Sequence, residues 1–159
     1  MAKLAAAFGS SHSVMLTATL ADWLGRFRES DLRMPYYDRE GNPVTFADVL
    51  ARAPADAAER VAPAAITARF EAVQAAMGRL RDEIAAAQLD ALVIVGDDQH
   101  ELFHDQHMPS IGIYHGPTVR NAPRRPVAPD DWYRRAQMGR LEDEREAHYP
   151  CHQPLALHL

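Results

Sequence analysis

Six consecutive residues, Ala91-Leu92-Val93-Ile94-Val95-Gly96, form an apolar run rich in β-branched side chains. Such side chains are stiff at χ1 and suit a pleated strand better than a helix. A strand without polar alternation has to be covered on both faces, as happens in a parallel or mixed sheet lying between helices. Upstream, from Pro63 to Gln88, the residues Ile66, Phe70, Val73, Met77, Leu80 and Ile84 recur at alternating spacings of four and three. They make one apolar stripe on a helix, read here as core packing. Pro63 suits its first turn, where the missing N–H is no loss. A long helix leading into a buried strand predicts an α/β fold, a mixed or parallel sheet covered by helices. Ligands in such folds gather beyond the carboxyl ends of the strands.

Other elements follow the same logic. Leu4–Phe8 reads as a short strand ending in the small-residue turn Gly9-Ser10-Ser11-His12. Val14 to Phe27 carries enough apolar positions for a helix, and Ser30–Pro43 reads as a loop with Tyr36 and Tyr37 as aromatic anchors. Thr45 is placed to cap a short helix, Phe46–Ala53. Ser110–Tyr114 reads as a second strand, ending in His115-Gly116. Residues 117–129 form a loop rich in Pro and Arg, and Asp130–His148 reads as a charged surface helix. An apolar helix starts at Pro154. The 159 residues are read as a single domain, and because the chain stops one turn into that helix, as an incomplete one.

Composition narrows the functional classes. With 47% hydrophobic and 25% charged residues, the chain is expected to be globular rather than disordered. A net charge of −5, from 17 basic against 22 acidic residues, gives no basic face for nucleic acid. The opening apolar run is too short for a signal peptide, and no stretch is long enough to span a membrane. The lone Cys151 cannot form an internal disulfide, so a reducing cytoplasm is the expected compartment.

Histidine is the residue type that points to chemistry, with four of the 8 lying between His100 and His115. His12 and His100 each follow the carboxyl end of a predicted strand. Neutral imidazoles ligate iron, zinc or copper, and two of them with one carboxylate leave Fe(II) open positions for oxygen and substrate. Asp97 and Asp98 read either as turn formers or as carboxylates that orient a ligating imidazole. His100-Glu101-Leu102-Phe103-His104 also fits His-Glu-x-x-His, the zinc-hydrolase pattern. That pattern needs a helix, whereas here it follows a strand and precedes Pro109. There is no nucleophile elbow and no phosphate-binding glycine loop.

Gly9-Ser10-Ser11-His12-Ser13-Val14-Met15-Leu16, taken with Val93-Ile94-Val95-Gly96-Asp97-Asp98-Gln99-His100-Glu101-Leu102-Phe103, resembles the type III extradiol ring-cleavage dioxygenases. That superfamily includes the protocatechuate 4,5-dioxygenase beta chain. Met108–Tyr114 resembles the family's next strand, and His148–Leu159 the start of the helix after it. The resemblance implies the N-terminal half of a larger extradiol dioxygenase fold. It further implies a non-haem Fe(II) that chelates a catechol of the protocatechuate or gallate kind and uses O2 to cleave the ring beside the diol. His12 and His100 carry over as iron ligands. The family's Asn-Asp-His aligns without a gap to Asp97-Asp98-Gln99, so assigning His100 takes a slip of one residue. The family's iron-binding glutamate and acid–base histidine correspond to positions beyond Leu159. Three readings stay open at this point: a ring-cleaving enzyme, completed if need be by a second chain or by homo-oligomers; a non-catalytic relative acting through association; and a zinc hydrolase using His100-Glu101-x-x-His104.

Overall fold

The computed structural model describes residues 3–97, 102–122, 127–138 and 145–159. The chain mixes helix with small antiparallel sheets, within the broad α/β class. The helical part is assembled around one local motif. A short 3-10 turn, Val14–Leu16, is capped by Ser13, whose hydroxyl accepts from the Met15 N–H. A second turn begins at Thr19, whose Oγ1 accepts from the Asp22 N–H at 3.2 Å while Asp22 Oδ2 accepts from the Thr19 N–H and hydroxyl at 3.1 and 2.7 Å. This reciprocal arrangement satisfies donors that the helix interior cannot reach. The helix then passes through a wider π turn, Asp22–Arg26, into α1, Phe27–Asp31.

Thr45-Phe46-Ala47-Asp48 repeats the same Thr-x-x-Asp box, and it starts α2, Phe46–Ala51. Asp48 accepts from the Thr45 hydroxyl at 2.6 Å and from its N–H at 2.9 Å, which lowers its carboxyl pKa. The predicted cap at Thr45 is therefore present. Between the two boxes, β1 (Tyr36–Tyr37) pairs antiparallel with β2 (Pro43–Val44) where the sequence read as a loop. The connecting turn forms because the Asp38 carboxylate accepts from the N–H groups of Asn42 and Glu40 at 2.8 and 3.0 Å. Gly41 supplies the positive φ of 84° that the reversal needs.

After the single turn α3, Ala57–Arg60, the long helix α4 runs Pro63–Ala86 with Pro63 in its first turn. Its predicted stripe is the face turned to the protein: Ile66, Phe70, Val73, Leu80 and Ile84 are half-buried, and Met77 lies at the border of exposure. Phe70 meets Trp23 edge-on at 5.7 Å, and the Trp23 Nε1–H donates to the Met15 carbonyl at 2.9 Å. The helix ends at Gln88, a left-handed residue (φ 46°) whose side-chain amide donates back to the Ala85 carbonyl at 2.9 Å.

The later chain adds β3 (Thr118–Asn121), then α5 (Trp132–Met138), then β4 (Ala147–Pro150), which pairs antiparallel with β3, then the short α6 (Gln153–Ala156). Two bonds fasten α5 to the N-terminal turns. Thr17 Oγ1 donates to the Ala136 carbonyl at 2.6 Å, and Arg135 Nη2 reaches Asp22 Oδ1 at 3.5 Å. Phe27 and Trp132 close the contact edge-on at 5.0 Å. Ala18 and Ala136, both buried, sit at this junction with the buried Asp22.

Several expectations differ from this structure. Leu4–Phe8, Ala91–Gly96 and Ser110–Tyr114 are not strands; they are non-helical segments without a ladder partner among the described residues. A strand exists only by pairing, and the sheets that do form use other residues, so β-branched composition alone did not suffice. Of the helix expected over Asp130–His148, the described residues form Trp132–Met138, whereas Ala147–Pro150 is strand β4, held by its ladder to β3. Residues 139–144 lie outside the described part. The basic 117–129 loop opens with β3.

Losing either half of the Thr19–Asp22 box should weaken the helical unit. Thr19→Ala is expected to cost about 1 kcal/mol, as for other N-caps. Asp22→Ala should cost about 2 kcal/mol, because it also strands the Arg135 contact and leaves the Thr19 hydroxyl without its acceptor. Urea unfolding followed by circular dichroism measures both. An Asp48→Ala loss as large as that of Asp22→Ala would contradict the ranking, since Asp48 is exposed whereas Asp22 is buried.

Candidate functional site

His12 lies on an exposed loop directly before the Ser13-capped turn. Serines shape this loop: Ser11 Oγ accepts from the Ser13 N–H at 3.1 Å, and the Ser10 hydroxyl donates to the Ser11 carbonyl at 3.2 Å. The imidazole is thus presented on a loop after an apolar, non-helical segment, where the sequence predicted the end of a strand. Asp97 is exposed at the end of the Ala91–Gly96 run. His100, Asp98 and Glu101, the remaining predicted ligand, orienting and zinc-motif residues, lie outside the described part.

Beyond them, Leu102–His104 are non-helical, so the one-face helical placement that His-Glu-x-x-His requires is not formed over that part of the motif. His104 and His107 do come together. The His107 N–H donates to the His104 carbonyl at 2.9 Å in a turn, their rings meet edge-on at 5.7 Å, and Phe103 contacts the His107 ring at 6.3 Å. Among the described residues no three His, Cys, Asp or Glu side chains converge as a metal-binding group.

Nearby aromatic side chains have structural partners. Trp23 packs on Phe70; the Tyr36 hydroxyl donates to the Asp31 carbonyl at 2.8 Å and its ring lies against Phe46, while partial burial and then Asp31 raise its phenol pKa. Tyr37 remains 64% exposed. The His115 carbonyl accepts from Gln153 Nε2 at 2.8 Å, tying α6 to the segment before β3.

No family model, curated protein or solved structure matches this chain.

The most pronounced charge cluster is one the sequence did not single out. Across the β3–β4 ladder Arg120 stands opposite His148, and Glu146 joins them. Arg120 Nη2 donates to Glu146 Oε2 at 2.8 Å, and His148 Nε2 lies 2.9 Å from Oε1. The Arg120 hydrogen bond, then that of His148, pushes the Glu146 carboxyl down to about 2. The same bond raises the Arg120 guanidinium. Glu146 and Arg120 are 26 positions apart, so only the strand pairing reveals the cluster.

All three side chains are about half exposed, so solvent screens the pair and its role is to orient the hairpin. Because Glu146 is lowered, its contribution is present above the ordinary carboxyl range and is lost as pH falls through about 2. Arg120→Ala should return the Glu146 titration toward the ordinary glutamate range, as followed by NMR of the Glu146 carboxyl carbon. A midpoint that stays near 2 would show that Arg120 is not the main cause.

Proposed function

We propose that this chain binds Fe(II) through His12 and His100 and acts in the extradiol cleavage of a catechol by O2, with further ligands supplied from outside the two histidine motifs. The observation that carries this reading is the paired motif. Gly9-Ser10-Ser11-His12 and Gly96-Asp97-Asp98-Gln99-His100 each follow an apolar segment and each carry an imidazole just past it. On this reading each histidine is carried just past an apolar, non-helical segment, Leu4–Phe8 for His12 and Ala91–Gly96 for His100, the second of which orders as a strand once it gains cover. Asp97 and Asp98 would orient the ligating imidazole. Bound Fe(II) would supply chelation of both catechol oxygens and activation of O2; this chain's part is to hold the metal. A reducing cytoplasm suits both Fe(II) and the lone Cys151.

A second reading, a non-catalytic relative that acts by association, is favoured by one observation: Leu92, Val93, Ile94 and Val95 are all exposed. Such a protein would fold and assemble without metal.

Anaerobic titration of the purified chain with Fe(II) separates the two. One tightly held iron per chain is expected, with binding abolished in His12→Ala and in His100→Ala. Binding should be weakened about 10-fold to 100-fold in Asp98→Asn, as for other residues that orient a ligand. A ring-opened yellow product on adding protocatechuate and air would extend the result to catalysis. Iron binding no tighter than to a surface histidine, or unchanged in the His12 and His100 variants, would overturn the proposal.

A further inference from the structure

Two apolar segments face solvent without a ladder partner among the described residues. Ile94, Val95 and Ile111 are 82%, 92% and 82% exposed, and Leu92, Val93, Ile113 and Tyr114 are also exposed. Together with the end of α4 and with α6 they border an open groove of about 1520 Å³. Within Ala91–Gly96 no main-chain N–H or C=O bonds to the backbone of another described residue. The Tyr114 ring folds over Gly116, where any β-carbon would collide with it, and its hydroxyl donates to the Thr118 carbonyl at 2.8 Å. Non-helical backbone with free hydrogen-bonding groups and large β-branched side chains is a template for a further strand.

Two observations identify the occupant. Ala-Leu-Val-Ile-Val-Gly carries no charge, so a second copy laid antiparallel on the first brings no like charges into the ladder, although each chain carries a net charge of −5. The seven exposed side chains also present on the order of 800 Å² per chain, which is what each partner contributes to a standard stable interface. A single apolar peptide would supply one strand and leave most of that area open. A second copy brings a strand and an apolar segment of its own.

We propose that two copies of this chain associate through Ala91–Gly96, each run ordering as a β-strand paired antiparallel with its symmetry mate. Ile111–Tyr114 of each copy then covers one of the two apolar faces of the ladder. The contact is isologous, so it closes at a dimer instead of propagating. This inference requires no metal and stands apart from the iron reading.

The test is sedimentation equilibrium of the metal-free protein, in chelator, from about 1 to about 100 μM, the range over which modest interfaces dissociate. The comparison set is wild type, Ile94→Lys, Val95→Pro and Leu4→Lys. Leu4 is an exposed apolar residue outside the groove, at 84%. Wild type and Leu4→Lys should be dimers, with dissociation at least ~10-fold easier in Ile94→Lys, which brings like charges into the ladder, and in Val95→Pro, which removes a backbone donor. Hydrogen exchange on the wild type reads the interface without mutation: the amides of residues 92–95 should gain protection as concentration rises. A monomer throughout, open-ended oligomers, a dimer indifferent to both groove variants, or amides already protected in the monomer would each overturn the proposal.

Discussion

The buried carboxylate of Asp22 is the interaction on which the described helical core depends. It closes the cap that starts the first long helical segment, and the same carboxylate receives Arg135 from α5, a residue more than a hundred positions later. A charge this deeply placed is tolerable only because its oxygens have donors: the Thr19 N–H and hydroxyl on one, the Arg135 guanidinium on the other. The Thr17 hydroxyl bond to Ala136 lies beside it, and the two side chains that complete the junction, Ala18 and Ala136, are small. Small residues let the backbones of the N-terminal turns and α5 approach closely enough for polar groups to make the fastening. The contact is therefore specific in geometry and modest in buried apolar area.

That modest area is a consequence of where the large apolar residues went. A chain with 47% hydrophobic residues has the material for a substantial core, yet Leu92–Val95 and Ile111 face outward. The α4 stripe fares better because its spacing meets a neighbour already in place, the Trp23 turn. The Ala91–Gly96 run carries apolar side chains for both of its faces and needs cover on each, and the described residues supply neither a flanking strand nor a second layer. What a strand requires is non-local, and composition encodes the need without the partner.

This contrast also explains what was legible in the sequence. Features settled within about four residues were readable: the Thr45 cap, Pro63 at the start of α4, and the four-and-three stripe from Ile66 to Ile84. The Thr19–Asp22 box has the same local chemistry as Thr45–Asp48, yet it was concealed because an apolar periodicity over Val14–Phe27 suggested one continuous helix. The structure instead breaks that stretch into a 3-10 turn and a π turn. The β3–β4 pairing was not readable at all. Thr118–Asn121 sits in a Pro- and Arg-rich stretch and Ala147–Pro150 in a charged one, and each becomes a strand only against the other. The Arg120–Glu146–His148 cluster shares that origin.

The candidate site divides along the same line. His12 is fixed by its neighbours, because Ser11 and Ser13 hold the loop through bonds spanning two residues. The second motif depends on the Ala91–Gly96 run that leads into it. A ligand loop is only as well placed as the strand that carries it, since metal sites demand donor positions held to a fraction of an ångström. On the proposed iron reading, cover for that run and placement of His100 are one physical problem. Whatever pairs with Ala91–Gly96 would order the stem of the loop at Asp97, and the cost of organising the loop for metal would fall with it. Association and metal binding, although each can be tested without the other, would then be thermodynamically coupled: an ordered strand would tighten metal, and metal would favour the ordered strand by the same factor.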